Sequence, residues 1–94
     1  MQLQVNEHYQ YWGNDSPVIP ALSKIKILHI WNFPATGKVF LTIEDLENKN
    51  IDRHGKEEAI VSTVPYAYPT AIRPIDYCTD EELQTLRNKG IKYE

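Results

Sequence analysis

The chain has 94 residues, one cysteine, and ten lysines and arginines against thirteen aspartates and glutamates, for a formal net charge of −3. That length suits one domain over residues 1–94 with one core, and the apolar and charged fractions are those of a globular chain rather than a disordered one. The lone Cys78 excludes an internal disulfide, and cations scattered among more numerous acids argue against binding held mainly by phosphates.

The opening Met1-Gln2-Leu3-Gln4-Val5 lacks the basic flank and apolar run of a secretory leader. No apolar stretch approaches the about 20 residues of a membrane span. A cytoplasmic chain without a membrane partner is the expectation. Leu3 to Trp12 alternates imperfectly through Val5, Tyr9 and Tyr11, which reads as one or two extended pieces broken near Asn6-Glu7. Gly13-Asn14-Asp15-Ser16-Pro17 is a cluster of turn formers. The following Pro17-Val18-Ile19-Pro20 matches a minimal PxxP pattern but reads as a surface loop.

Lys24 to Phe33 is the clearest strand. Period two puts Ile25, Ile27, His29 and Trp31 on one face, and Leu28 and Ile30 on the other. Apolar residues on both faces imply a central strand covered on both sides, or a bend where the faces exchange. Phe33-Pro34-Ala35-Thr36-Gly37 is a turn. Lys38 to Glu44 resumes alternation, with Val39, Leu41 and Ile43 inward and Lys38, Thr42 and Glu44 outward, completing a hairpin. Asp45 to Lys56 is polar and reads as an exposed loop. Glu57 to Val64 is a third main strand, interrupted by Pro65-Tyr66-Ala67-Tyr68-Pro69 because proline cannot donate to a ladder. Thr70 to Ile75 is a short strand closed by Pro74.

The last element is a helix. Thr79 with Glu82 three residues on forms the capping-box pattern. Asp80, Glu81 and Glu82 suit the positive helix start, and Gly90 supplies a stop. Leu83 and Leu86 face the core. Ile91 to Glu94 adds a last extended piece or frays.

These elements predict a mainly β domain, either a small barrel or a strongly bent antiparallel sheet, with one short C-terminal helix; a two-layer α+β sheet is the alternative. The order resembles SH3-like small barrels, on the opening Val5-Asn6-Glu7-His8-Tyr9, the long strand Lys24 to Phe33, the hairpin through Gly37, and Ile72-Arg73-Pro74-Ile75-Asp76 as the closing strand. The chain departs from that pattern in its acidic balance, long second loop and terminal helix. No family function is carried over.

No catalytic constellation stands out, and a non-enzyme is the expectation. Cys78 lies among Asp76, Asp80 and Glu81, which disfavour a thiolate, and His8, His29 and His54 are far apart. Cys78 reads as a semi-buried structural thiol and His29 as a core histidine. Asp45, Glu47 and Asp52 lack calcium-loop spacing and read as a solvated charge run. No cofactor or metal is expected.

The aromatics carry the functional expectation. Tyr and Trp bury large areas at small entropic cost and recur at binding hot spots. Tyr66 and Tyr68 in the proline-flanked loop, with Trp12, Tyr11 and Trp31, form the candidate surface, joined by the acids Glu44-Asp45-Leu46-Glu47, Glu57-Glu58 and Asp80-Glu81-Glu82. The reading is a non-catalytic protein-binding module, a small accessory or inhibitory factor in the style of phages and mobile elements, whose partner is another protein. The alternative is a nucleic-acid-binding barrel using Lys24, Lys26, Lys38 and Arg73 beside Trp12, Trp31 and Tyr66.

Overall fold

The computed structural model describes residues 2–67 and 69–89. Five strands, β1 (His8–Tyr11), β2 (Ser23–Phe33), β3 (Lys38–Ile51), β4 (Glu57–Pro65) and β5 (Ile72–Pro74), form one antiparallel sheet in the order β4-β3-β2-β1-β5. A 3₁₀ turn (Pro69–Ala71) leads into β5, and helix α1 (Asp80–Asn88) follows it. The fold is therefore mainly β with a short C-terminal helix. The last strand returns to β1, but β4 and β5 remain as two edges. The sheet is bent, not closed into a barrel.

The bend is visible in the core. Tyr9 and Tyr11 of β1, Ile25 and Ile27 of β2, Leu41 and Ile43 of β3, Val64 of β4 and Ile72 of β5 pack in one cluster. Residues from both edge strands meet there, so the sheet curls around its own inner face. The gap between the edges is filled by the loop after β1. Ile19 enters the cluster fully buried, and Ser16 Oγ bonds Ser62 Oγ of β4 at 3.0 Å. The phenol oxygen of Tyr11 accepts the backbone N–H groups of Asp15 and Ser16 at 3.0 and 3.1 Å. Gly13 passes so close to the Tyr11 ring that a Cβ there would stand 2.9 Å from it. The PxxP segment is a surface loop, as expected, with Pro17, Val18 and Pro20 exposed, but it is anchored by Ile19, which enters the core.

Irregularities in the long strands set which side chains face outward. The β2–β3 register shifts between Ile27 and His29, leaving Leu28 without a partner. A bulge of this kind reverses the alternation that follows. Ile25 and Ile27 point inward before it; Ile30 packs on the core after it, and His29, Trp31 and Phe33 face outward. The faces exchange, and His29 is an exposed residue rather than a core histidine. The second shift lies in β3, where residues 45–48 lie opposite the single Ile60 of β4. Asp45 organises it. Its buried carboxylate accepts the backbone N–H groups of Glu47 at 2.8 Å and Asn48 at 3.2 Å, and the Asn48 side-chain amide at 3.0 Å. Asp45 belongs to the architecture, not to a solvated charge run. β3 then continues to Ile51 as a ribbon with β4 where an exposed loop was expected, and only residues 52–56 turn. There Asp52 Oδ1 accepts the N–H groups of His54 and Lys56.

A second cluster sits on the opposite, outer face. Trp12, Leu22 and Leu83 are buried together, with Ala21, Cys78 and Leu86 against them. Gln10, also outward on β1, is fully buried beneath the segment leading to α1. Its amide donates to the carbonyls of Ile75 and Cys78, both at 2.9 Å, and its Oε1 accepts Trp12 Nε1–H. Leu22 holds φ +70°, a region costly for a branched side chain. It is fixed there by its own packing and by its carbonyl, which accepts from Arg87 of α1 at 2.6 Å. α1 is capped as expected: Thr79 Oγ1 accepts the Glu82 N–H and Glu82 Oε1 accepts the Thr79 N–H. Ion pairs Lys24–Asp80 and Arg87–Glu47 tie its two ends to β2 and β3. The expected stop at Gly90 and the segment to Glu94 lie outside the described residues.

Tyr11→Phe orphans two loop N–H groups and is expected to cost about 1–3 kcal/mol in chemical denaturation, with hydrogen exchange faster at residues 15 and 16. The Asp80 carboxyl is held below its ordinary pKa first by the hydrogen bond from Lys24, and that of Glu82 by the Thr79 backbone and hydroxyl. A depressed folded-state pKa stabilises above the unfolded value and loses that stabilisation as pH falls through the folded one. Protection of the α1 amides, measured against their intrinsic exchange rates, is therefore expected to fall on acidification below the ordinary carboxylate range before protection in the sheet does. Thr79→Ala should weaken the helix by about 1 kcal/mol at neutral pH and shrink that acid-dependent step.

Candidate binding face

The cross-strand register lays out the outer face row by row. Lys26, Glu44 and Val61 are neighbours across β2, β3 and β4; then His29, Thr42 and Thr63; then Trp31, Phe40 and Pro65; then Phe33 and Lys38. Trp31, Phe33 and Val61 are 45%, 46% and 46% exposed. Trp31 and Phe33 adjoin Phe40 in one apolar group, from which the Thr42–Thr63 row separates Val61; grouped apolar side chains left in water on a small domain mark an interaction surface.

Hydrogen bonds and ring contacts fix this strip in place. The Trp31 indole N–H donates to Thr42 Oγ1 at 2.9 Å, and Thr42 Oγ1 and Thr63 Oγ1 are 2.9 Å apart, so one chain of bonds crosses three strands. His29 sits edge-on to Trp31 with ring centroids 4.2 Å apart, and Phe33 meets Phe40 at 5.8 Å in the same manner. The hairpin turn beyond them closes with Gly37 at φ +68°, its N–H donating to the Phe33 carbonyl at 2.9 Å. Aromatic side chains held by such contacts lose little further freedom when a partner covers them.

The sequence-derived candidates divide. Trp31 lies at the centre of the strip. Tyr66 is half-buried against the core beside it: its N–H donates to Val39 O at 2.8 Å, and it lines a shallow recess with Val39, Phe40 and Pro65. Tyr68 lies outside the described residues. Tyr11 and Trp12, expected on the surface, are instead buried at 1% and 3% exposure. Each faces one of the two clusters because β1 alternates between them, so neither offers a surface. Phe33, Phe40 and Val61 were missed. Phe33 ends a strand by sequence pattern, and Phe40 stands between inward Val39 and Leu41, which places it outward.

The acids do not gather into one face. Glu44 bonds Lys49, Glu47 bonds Arg87, Asp80 bonds Lys24, and Asp45 is internal. The four cations of a nucleic-acid groove also part company. Lys24 is taken by Asp80, and the Arg73 guanidinium stacks 3.9 Å over Trp12 and 4.7 Å over Tyr77. Lys26 and Lys38 stand on the strip. Cys78 is half-buried at the start of α1, its thiol pKa pushed up first by burial and then by Glu82. Among the described residues, no three His, Cys, Asp or Glu side chains are placed to hold a metal ion, and no helix is long and apolar enough to cross a membrane.

No protein-family model, curated protein or solved structure matches this chain.

The two tryptophans should separate core from surface. Trp12→Ala is expected to cost about 3–5 kcal/mol, as for other buried aromatics. Trp31→Ala should cost far less, about 1 kcal/mol for a lost exposed contact and hydrogen bond. Urea titration of both variants measures the difference.

Proposed function

We propose that the chain is a non-catalytic protein-binding module that works by burying the Trp31, Phe33 and Phe40 strip against a partner protein. The observation that carries this reading is the division of the sheet's outer face. At one end of it, Trp12 just after β1 and Leu22 just before β2 are covered by α1. Over the end of β2, β3 and β4, Trp31, Phe33 and Val61 remain bare and ordered. A hydrophobic centre with a polar rim of Lys26, His29, Lys38 and Thr63 is the make-up of a protein contact patch. Such patches concentrate binding energy in a few aromatic residues. A role as a small accessory or inhibitory factor in the cytoplasm suits a chain of this size that carries an ordered aromatic surface.

A second reading rests on the same rings. Three aromatics between two lysines can stack the bases of a single strand. Glu44 within the strip and the net negative charge weigh against it.

Affinity capture from a lysate of the source organism tests the first reading. The folded chain should retain a stoichiometric protein that Trp31→Ala/Phe33→Ala loses and Tyr77→Ala keeps. A partner held equally by the double variant would place the contact elsewhere and sink the reading.

A further inference from the structure

The outer strip has dimensions that restrict what can lie on it. From Lys38 to Glu44 is six residue steps of β3, about 20 Å at about 3.3 Å per residue. Three strands spaced about 4.8 Å give a width of about 10 Å. One α-helix of about 13 residues, roughly 10–12 Å across, matches that footprint.

The molecule already carries an example of such a docking. α1 packs at the other end of the same face, on residues that flank β1 and β2. Its N-terminal Asp80 pairs with Lys24, while Leu83 and Leu86, three residues apart, close over Trp12 and Leu22. The bare half repeats these elements. Lys26 stands two residues along β2 from Lys24 on the same face, and Trp31 and Phe40 supply the aromatic floor. Among the described residues, neither Lys26 nor Lys38 has a carboxylate within ion-pair distance, whereas Glu44, the acid of the strip, is bonded to Lys49. Glu57 and Glu58 lie further out along the β3–β4 ribbon, opposite Ile51 and Asn50. The strip thus has an aromatic floor toward its hairpin end and a lysine without an ion-pair partner at each end, Lys38 beside Phe33 and Lys26 across from Glu44.

We propose that this strip seats a short acidic amphipathic helix of the partner protein, its leucine-type stripe on Trp31, Phe33 and Phe40 and its carboxylates on Lys26 and Lys38. This rests on the protein-binding reading above and adds to it the conformation and charge of the partner. Helix-in-groove recognition provides the apolar anchors, and the terminal lysines select the sign of the partner.

The test uses the full chain, ¹⁵N-labelled, titrated with three synthetic helical peptides of 14 residues. All carry the same leucine stripe; their polar faces are built from Glu, Gln or Lys. The Glu peptide should shift the Trp31 indole N–H and the backbone signals of Phe33, Phe40, Lys26 and Lys38. It should bind severalfold more tightly than the Gln peptide and weaken with added salt. Lys26→Glu/Lys38→Glu should reverse the preference toward the Lys peptide while leaving the rest of the spectrum that of the folded chain. Equal binding of the three peptides, preference for the Lys peptide, or no binding by the Glu peptide overturns the acidic-helix proposal. It leaves the protein-binding reading standing if a captured partner still depends on Trp31. A fifteen-residue oligothymidylate shifting these signals when no peptide does would overturn both. Shifts that grow with protein concentration alone would make the occupant a second copy of the chain and overturn the helix.

Discussion

The slip of register at Leu28 decides what this surface is. Before it, β2 sends Ile25 and Ile27 into the core; after it, the same alternation sends His29, Trp31 and Phe33 to solvent. A single unpaired residue in a long strand changes which face every later side chain occupies. Without it, Trp31 would sit behind Ile27 in a core already filled by Leu41, Ile43 and Val64, and the outer face would be bland. With it, three aromatic rings stand on the far side of the sheet, braced by the Trp31–Thr42–Thr63 hydrogen bonds.

The other end of that face shows what happens when such groups are covered. Gln10 and Trp12 alternate outward from β1 and would be exposed, but α1 and the segment before it close over them. The closure is specific. The Gln10 amide is fully engaged, Leu22 adopts a left-handed backbone to reach the cluster, and Arg87 bridges its carbonyl and Glu47. Satisfied buried polar groups of this sort fix position more than they add net stability. The result is one sheet with two differently finished halves.

Much of this was legible in the sequence. The hairpin through Gly37, the inward set Val39, Leu41 and Ile43, and the capping box at Thr79 follow from period and spacing alone. So does the choice between a doubly covered strand and a face exchange at β2, though not its resolution. A bulge has no side-chain signature; it arises because two strands of fixed curvature must both reach the core. For the same reason Asp45 read as a surface charge when it is a backbone acceptor inside an irregularity, and the β3–β4 ribbon read as a loop. Trp31 was found among the candidates because tryptophan is conspicuous. Tyr11 and Trp12 were misplaced because composition reports how many aromatics a chain has, and only the alternation of β1 between two cores says which of them remain outside.

The binding face depends on the outward exposure of the rings that follow Leu28. Solvent paramagnetic relaxation, with a neutral soluble gadolinium chelate added to the folded chain, reads this ring by ring. Strong broadening of the Trp31, Phe33 and Phe40 ring signals, with Tyr11, Trp12 and Ile27 spared, is the expected pattern. Protection of Trp31 and Phe33 to the same degree as Ile27 would mean that the faces do not exchange, and would contradict it.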